Sequence, residues 1–314
     1  MKVYIAGDIP EIGIDYLREK GLKISLNKKL ISEQDFIRNA KDCNGIVTLL
    51  SQKITKDIID SLPKLKVIAN YAVGYNNIDI AYAKEKGIIV TNTPDVLTAA
   101  TAEIAVSLML SCNRRIVESE NFVRDGKFSG WQPKLFLGKE IKNKTVGIIG
   151  GGRIGTATAL RIKAFETNIL YYSNHRNPLL EEKTDARKVS LDTLLKKSDI
   201  ISIHLPLTPS TRNLLSKEKL GLLKKSSVVI NTARGEIIDE KELIRKLKKN
   251  EIFAAGFDVY ENEPNLNKEL FKLKNAVLLP HIGSATEEAR NEMSLLCAKN
   301  IANVLNNKKP LTEV

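Results

Sequence analysis

Short apolar runs alternate with stretches of helical periodicity along nearly the whole chain. Residues 3–6, 23–26, 45–50, 67–72 and 88–91 are runs of the kind that fill a strand buried on both faces. Between them, residues 12–20, 32–40, 55–61 and 80–86 read as helices, and Gly21 and Gly87 stand where two of them should stop. From 94 to 126 the texture changes to one long helical region, opened by Pro94 and interrupted near Asn113, Arg114 and Arg115. A loop over 128–138 follows and holds the only tryptophan, Trp131.

A second series begins at Lys144, with expected strands at 145–149, 168–172, 200–205, 227–232, 253–259 and 276–279. Helices fit at 153–165, 191–197, 217–223, 239–250 and 286–306. The alternation predicts an α/β fold with two doubly wound parallel-sheet domains. The long last helix is expected to return to the first domain. The boundaries that follow are 1–93 with 287–314 for a smaller domain, and 94–286 for a larger one inserted in it.

Composition narrows the class. The 314 residues suffice for two domains, and 43% hydrophobic with 27% charged residues is ordinary for a globular protein. No apolar run reaches the ~18 residues of a membrane helix, so no membrane association is expected. The start, Met1-Lys2-Val3-Tyr4-Ile5, reads as a strand rather than a signal peptide. Cys43, Cys112 and Cys297 are scattered and odd in number, which argues against a disulfide framework or a metal site and for a reducing, cytoplasmic setting. A net charge of +12 fits either nucleic acid or anionic small molecules. The lysines occur as scattered pairs, such as Lys196-Lys197 and Lys248-Lys249, without interleaved aromatics. The expectation is therefore an anionic ligand and no nucleic acid.

The segment 145–155 carries Gly150-x-Gly152-x-x-Gly155, after an expected strand and at the start of an expected helix. That context makes it a dinucleotide-binding turn rather than three ordinary turn glycines. Gly150 permits the tight turn, Gly152 lets backbone approach a pyrophosphate, and Gly155 brings the helix close to the strand. The helix N-terminus would offer free N–H groups to anionic oxygens. NAD sites place an Asp or Glu at the end of the next strand. This chain has Ser173, Asn174, His175 and Arg176 there, which suit a 2′-phosphate. NADP(H) is expected to be preferred over NAD(H), unless Arg176 merely faces water.

Three histidines exist. His175 belongs to that loop, and His204, before Leu205-Pro206, suits a cofactor-lining or a structural role equally. His281 follows the apolar run 276–279, at the strand end where open α/β sheets bind ligands. Reduction of a carbonyl needs a cation, a proton donor and a group that keeps the donor charged. Arg234 can grip a carboxylate at two points. His281 can donate the proton, and Glu263 can favour its imidazolium form. Asp258 could accept from a nicotinamide carboxamide. Each taken singly is more often a solvated loop group.

Taken together, residues 70–79 (Asn-Tyr-Ala-Val-Gly-Tyr-Asn-Asn-Ile-Asp), 90–97, the glycine turn, 231–235, 258–264 and 280–286 resemble the D-2-hydroxyacid dehydrogenase family. The resemblance runs nearly end to end and is greatest to its glyoxylate/hydroxypyruvate reductases. It implies a Rossmann cofactor domain within a smaller flavodoxin-like substrate domain. It also implies that Arg234, Glu263 and His281 are catalytic, and that backbone at Val73 and Gly74 binds the substrate carboxylate. Cofactor contacts are implied for Thr101, Gly151 to Ile154, Ser173 to His175, Thr232, Ala233, Asp258 and Gly283. Such enzymes are generally homodimers with the active site in an interdomain cleft.

Two positions depart from the pattern. Leu135 stands where many reductases of this group have a tryptophan, which alters a pocket wall, and Gly151 replaces a frequent leucine. The expected substrate is a small 2-keto acid, glyoxylate or hydroxypyruvate. Relatives acting on 3-phosphoglycerate, phosphite or D-lactate remain alternatives, as does a non-catalytic dinucleotide-sensing protein.

Overall fold

The structure is a computed structural model that describes residues 1–29 and 31–314. The chain forms two compact units, Met1–Leu97 with Ser284–Val314, and Thr98–Gly283.

The first unit is a five-stranded parallel sheet. Its strands are β1 (Lys2–Ala6), β2 (Lys23–Asn27), β3 (Gly45–Thr48), β4 (Val67–Asn70) and β5 (Ile89–Thr91), in the order β2-β1-β3-β4-β5. That is the flavodoxin-like arrangement. Helices α1 (Glu11–Glu19), α2 (Glu33–Ala40), α3 (Lys56–Asp60) and α4 (Ile80–Glu85) connect them. Ser32, Thr55 and Asp79 cap the last three of these, each accepting an N–H of the first turn.

The second unit opens with α5 (Thr98–Arg114) and α6 (Ile116–Arg124), which part at Arg115, a left-handed residue with φ 55°. Its sheet contains β6 (Thr145–Ile149), β7 (Asn168–Tyr172), β8 (Arg187–Lys188), β9 (Ile200–Ile203), β10 (Val228–Asn231), β11 (Ala254–Phe257) and β12 (Ala276–Leu278). All pairings are parallel, in the order β12-β11-β10-β9-β6-β7-β8. Strand order reverses between β6 and β9, the switch point of a Rossmann sheet. The intervening helices are α7 (Arg153–Lys163), α8 (Pro178–Thr184), α9 (Leu191–Lys197), α10 (Lys217–Leu220) and α11 (Glu240–Lys248), with 3-10 turns at Gly235–Ile237 and Leu270–Lys272.

Both faces of this sheet are covered, so its strands are apolar at successive positions. Val146 and Ile148 of β6 join Leu108, Met109 and Ile162 on one side. Ile149 joins Ile203, Leu194, Leu243 and Phe257 on the other. Helix α8 and the two-residue β8 had no counterpart among the expected elements. Asn177 and Pro178 do carry a cap-and-start signal, but only Leu180 and Thr184 of α8 are buried, too few to set up a periodicity.

The last helix, α12 (Glu287–Leu305), belongs to the first unit and packs on α1. Ser294 Oγ donates to the Pro10 carbonyl at 2.7 Å, and Tyr71 Oη to that of Arg290 at 2.7 Å. Among the described residues, no helix is long and apolar enough to cross a membrane.

The α1–α12 contact is tight at Gly13, where a Cβ would lie 2.4 Å from the Ser294 carbonyl oxygen. Alanine in a helix normally gains about 1 kcal/mol over glycine. Overpacking against backbone costs about 1–3 kcal/mol, so the clash should win. Gly13→Ala is expected to lower the urea midpoint; a raised midpoint would refute this close packing.

Candidate functional site

Parallel strands β6, β7, β9, β10, β11 and β12 all end at one edge of the larger sheet. Gly150, Ser173, His204, Thr232, Asp258 and His281 lie just beyond those ends. The edge is where an α/β sheet binds its ligand.

The glycine turn follows β6. Gly150 has φ 106°, and a Cβ there would lie 2.5 Å from the His204 carbonyl oxygen. A Cβ on Gly155 would lie 2.0 Å from the Gly150 carbonyl oxygen, so α7 can lie this close only without a side chain. Gly152, by contrast, faces open space, with nothing within 4 Å of its would-be Cβ. It caps α7, whose first residues are Arg153 and Ile154. The turn is therefore tight toward the protein and empty outward, which fits a pyrophosphate approaching backbone N–H groups. The Thr232 hydroxyl and His204 Nδ1, both buried and without a protein partner, are further polar atoms at this edge.

The residue at the end of β7 is Ser173, whose Cβ is 3.5 Å from the position a Gly151 Cβ would take. It occupies the place of the ribose-binding carboxylate. Asn174, His175 and Arg176 are exposed beyond it. Arg176 pairs with Glu181, through Nη2 at 2.5 Å and Nε at 3.2 Å.

The loop after β10 carries Arg234. Asn231 organises it: Oδ1 accepts the Ala233 N–H at 3.0 Å, and Nδ2 donates to the Arg234 carbonyl at 2.8 Å. Arg234 Nη1 donates to the Ala233 carbonyl at 2.6 Å. Burial lowers the guanidinium's pKa, against the opposing pull of Glu263 and Glu236. Gly235 must be glycine, because a Cβ would fall 1.9 Å from the carbonyl carbon of Tyr260. This contact presses the arginine loop onto the segment that leads to Glu263.

Glu263 accepts the Tyr260 N–H at 2.9 Å through one oxygen and meets His281 Nδ1 at 2.8 Å through the other. Burial alone would raise this carboxyl, but His281, the Tyr260 N–H and Arg234 outweigh it and hold it below the ordinary range. Glu263 is thus anionic at neutral pH. His281 has φ 55° and a side chain one-third exposed. Its loop is anchored by buried Asp258, which accepts from Ile282 N at 2.7 Å and Gly283 N at 2.8 Å. Burial raises the Asp258 carboxyl despite those bonds. Gly283 also places Thr101 beside Asp258, with the Thr101 Cγ2 3.5 Å from its would-be Cβ.

His204 is settled differently from His281. Its Nε2 lies 2.9 Å from Ser202 Oγ, and burial pushes its pKa down to about 3. It is a neutral imidazole beside the glycine turn, unsuited to donating a proton near pH 7. Leu135 is half-buried in a turn, its N–H donating to the Gln132 carbonyl at 3.2 Å. A cavity of about 860 Å³ lies at the opposite edge of the sheet, lined by residues such as Lys139, Ser226, Phe253 and Asn275 that precede or flank strand starts, and it is remote from this chemistry.

In the smaller unit, Val73 and Gly74 follow β4. Their carbonyls accept from Asn92 Nδ2 at 2.9 Å and Asn70 Nδ2 at 2.7 Å. Among the described residues, neither N–H has a protein acceptor. Sequence reasoning did not single out Asn70, Asn92, Asn231 or Asn177. Asn70 and Asn231 tie their own loops over two to four residues, whereas Asn92 and Asn177 reach 19 to 26 residues away, contacts that no local pattern marks.

Residues 106–283 match the D-isomer specific 2-hydroxyacid dehydrogenase NAD-binding domain. Over 306 residues the chain is 49% identical to a glyoxylate reductase of Thermococcus litoralis, covering 96% of this chain and 92% of that one. The chain belongs to the D-isomer specific 2-hydroxyacid dehydrogenase family. Membership makes it an NAD(P)-dependent oxidoreductase. Among solved structures, a glyoxylate reductase from Paecilomyes thermophila superposes with a TM-score of 0.90 at 34% identity, covering 100% of this chain and 98% of that one. An NADPH-dependent glyoxylate/hydroxypyruvate reductase from Sinorhizobium meliloti, in complex with NADP and malonate, gives 0.88 at 32% identity, with 100% and 96% coverage.

The glycines of this dehydrogenase make separable demands. Gly152→Leu is expected to leave the melting temperature near that of the unaltered chain while weakening NADPH binding, read by nucleotide fluorescence. Gly155→Val is expected to lower both. Equal destabilisation by the two would contradict an outward-open turn.

Proposed function

We propose that this chain reduces a small 2-keto acid, glyoxylate or hydroxypyruvate, to the 2-hydroxy acid, with His281 as the proton donor. The observation that carries this reading is the 2.8 Å pair between His281 Nδ1 and Glu263, at the same sheet edge as the glycine turn. With Nδ1 engaged, Nε2 is the atom that gives its proton to the carbonyl oxygen. Arg234 grips the carboxylate and polarises the carbonyl. Asp258 holds the His281–Gly283 loop, and Asp258 and Thr101 accept the cofactor's amide end. When bound, the reduced nicotinamide supplies the hydride that C2 of the acid receives.

NADP(H) is proposed as the preferred cofactor, with NAD(H) also used. Ser173 in place of a carboxylate, and Arg176 and Lys188 near the loop, support this, Lys188 Nζ donating to the Asn174 carbonyl at 3.0 Å. The Sinorhizobium relative, NADPH-dependent and solved with NADP, agrees. A homodimer is proposed too. Helix α6 buries none of its residues and exposes Val117 and Val123, and Trp131 beyond it is 85% exposed. Such an apolar strip fits a second copy of the chain. The buried, unpaired cysteines suit the reducing cytoplasm.

The direct test follows reduced-nicotinamide absorbance with glyoxylate, hydroxypyruvate, pyruvate and 3-phosphohydroxypyruvate, each with NADPH and NADH. Oxidation fastest with glyoxylate or hydroxypyruvate is expected; none with any acid would overturn the reading. His281→Ala should lower kcat by about 10²–10⁴, the usual contribution of a general acid, while NADPH affinity stays. Normal turnover in that variant would refute the assignment.

Glu263→Gln keeps shape and removes the charge that His281 Nδ1 meets at 2.8 Å. kcat is expected to fall by about tenfold or more while KM changes little, read from steady-state rates. An unchanged kcat would show that the pair has no part in turnover.

A further inference from the structure

The loop after β7 is pinned by a closed circuit of hydrogen bonds. Asn177 Nδ2 donates to the Gly151 carbonyl at 2.7 Å and to Thr156 Oγ1 at 2.9 Å, tying the loop to the glycine turn and to α7. The Asn177 N–H donates to Tyr171 Oη at 3.0 Å, and Tyr171 Oη donates to Glu181 Oε1 at 2.5 Å. The tyrosine ring itself packs against Gly151, with Cδ2 3.1 Å from the would-be Cβ. Glu181 is therefore a built-in anion, one side chain removed from the phosphate turn. Its side chain is only 19% exposed, although Arg176, which it holds, is 75% exposed.

Glu181 takes Arg176 side-on, through Nε and Nη2. Arg176 and the tyrosine hydroxyl together hold the Glu181 carboxyl below its ordinary range, so it stays charged at neutral pH. Any 2′-phosphate beside Ser173 must share this guanidinium with a carboxylate that is already in place. An arginine that must be shared binds phosphate less strongly than one that is not, because both anions feel each other's charge.

We propose that Glu181 is a specificity-determining residue, which by holding Arg176 in an ion pair weakens the discrimination of the 2′-phosphate of NADP(H) from the 2′-hydroxyl of NAD(H). The inference rests on the reading that the loop from Ser173 to Arg176 receives the adenosine ribose. It explains how a loop without a carboxylate at the β7 end can still admit NAD(H). The cationic loop is partly neutralised from behind by an acid five residues further on.

The test is calorimetric binding of adenosine 2′,5′-bisphosphate and adenosine 5′-monophosphate to the full chain. The unaltered protein, Glu181→Gln, Arg176→Met and the double variant are compared at low salt. Glu181→Gln is expected to raise the preference for the bisphosphate by roughly threefold to tenfold, the scale of a partly exposed charge-assisted bond. The gain should vanish in the Arg176→Met background and shrink as salt is added. A merely structural role for Glu181 would shift both nucleotides together and would persist without Arg176; that result overturns the proposal. A loss of bisphosphate preference in Glu181→Gln also overturns it, since Glu181 would then be aiming Arg176 at the phosphate. If the unaltered chain binds both nucleotides equally and Glu181→Gln gains preference, the proposed NADP(H) preference fails while this inference stands. If the unaltered chain prefers the bisphosphate and Glu181→Gln changes nothing, the inference fails while the preference stands.

Discussion

The site depends on the carboxylate of Asp258. It stands at the end of β11 and accepts the N–H groups of Ile282 and Gly283, the two residues after His281. His281 sits in the left-handed region, at φ 55°, which costs a residue with a Cβ on the order of 1 kcal/mol or more. Hydrogen bonds to a charged acceptor contribute about 1.5–3 kcal/mol each, enough to hold that turn. The turn then sets which way the imidazole leaves the strand end, and so whether its Nδ1 can meet Glu263. The position of His281, its contact with Glu263 and the packing beside Thr101 all depend on one buried acid.

A second constraint is close backbone approach. Gly150, Gly155 and Gly235 are positions where a methyl group would overlap main-chain atoms. The first two bring α7 against β6, so that the helix start opens toward the ligand edge. The third presses the Arg234 loop on the Tyr260–Glu261 peptide, which brings a guanidinium and a carboxylate within electrostatic reach. The wild-type site is thus made rigid by absence of side chains as much as by contacts. Asparagines complete it: Asn231 serves two atoms of its own loop, and Asn177 serves the Gly151 carbonyl and the Thr156 hydroxyl of α7.

Charge is arranged with the same economy. His204 and His281 both follow strands of one sheet, β9 and β12, yet burial keeps His204 neutral while His281 faces an anion. Position at a strand end alone did not separate them; the partner did. The same holds for Arg176, which read as a phosphate ligand from its neighbours and is found on Glu181. A cation in a sequence says nothing of the acid that folds back onto it.

Periodicity and punctuation therefore determined much of this protein. Strands buried on both faces appear as apolar runs, and β6 and β7 span the expected 145–149 and 168–172. The break at Arg115 and the glycine turn were likewise legible, because each is a local demand on a few consecutive residues. The short β8 and α8 were not, since two strand residues and two buried helix positions leave no period to read. Tertiary structure alone decided the pairings: which histidine meets a carboxylate, which acid holds Arg176, and which amides tie the loops. The His281–Glu263 contact spans 18 residues, the Asn177–Gly151 contact 26 and the Arg176–Glu181 pair five, at distances fixed by the path of the chain. Hydrophobic pattern fixes where strands lie, whereas a polar contact needs two side chains placed to within a few tenths of an ångström, which only the packed fold supplies.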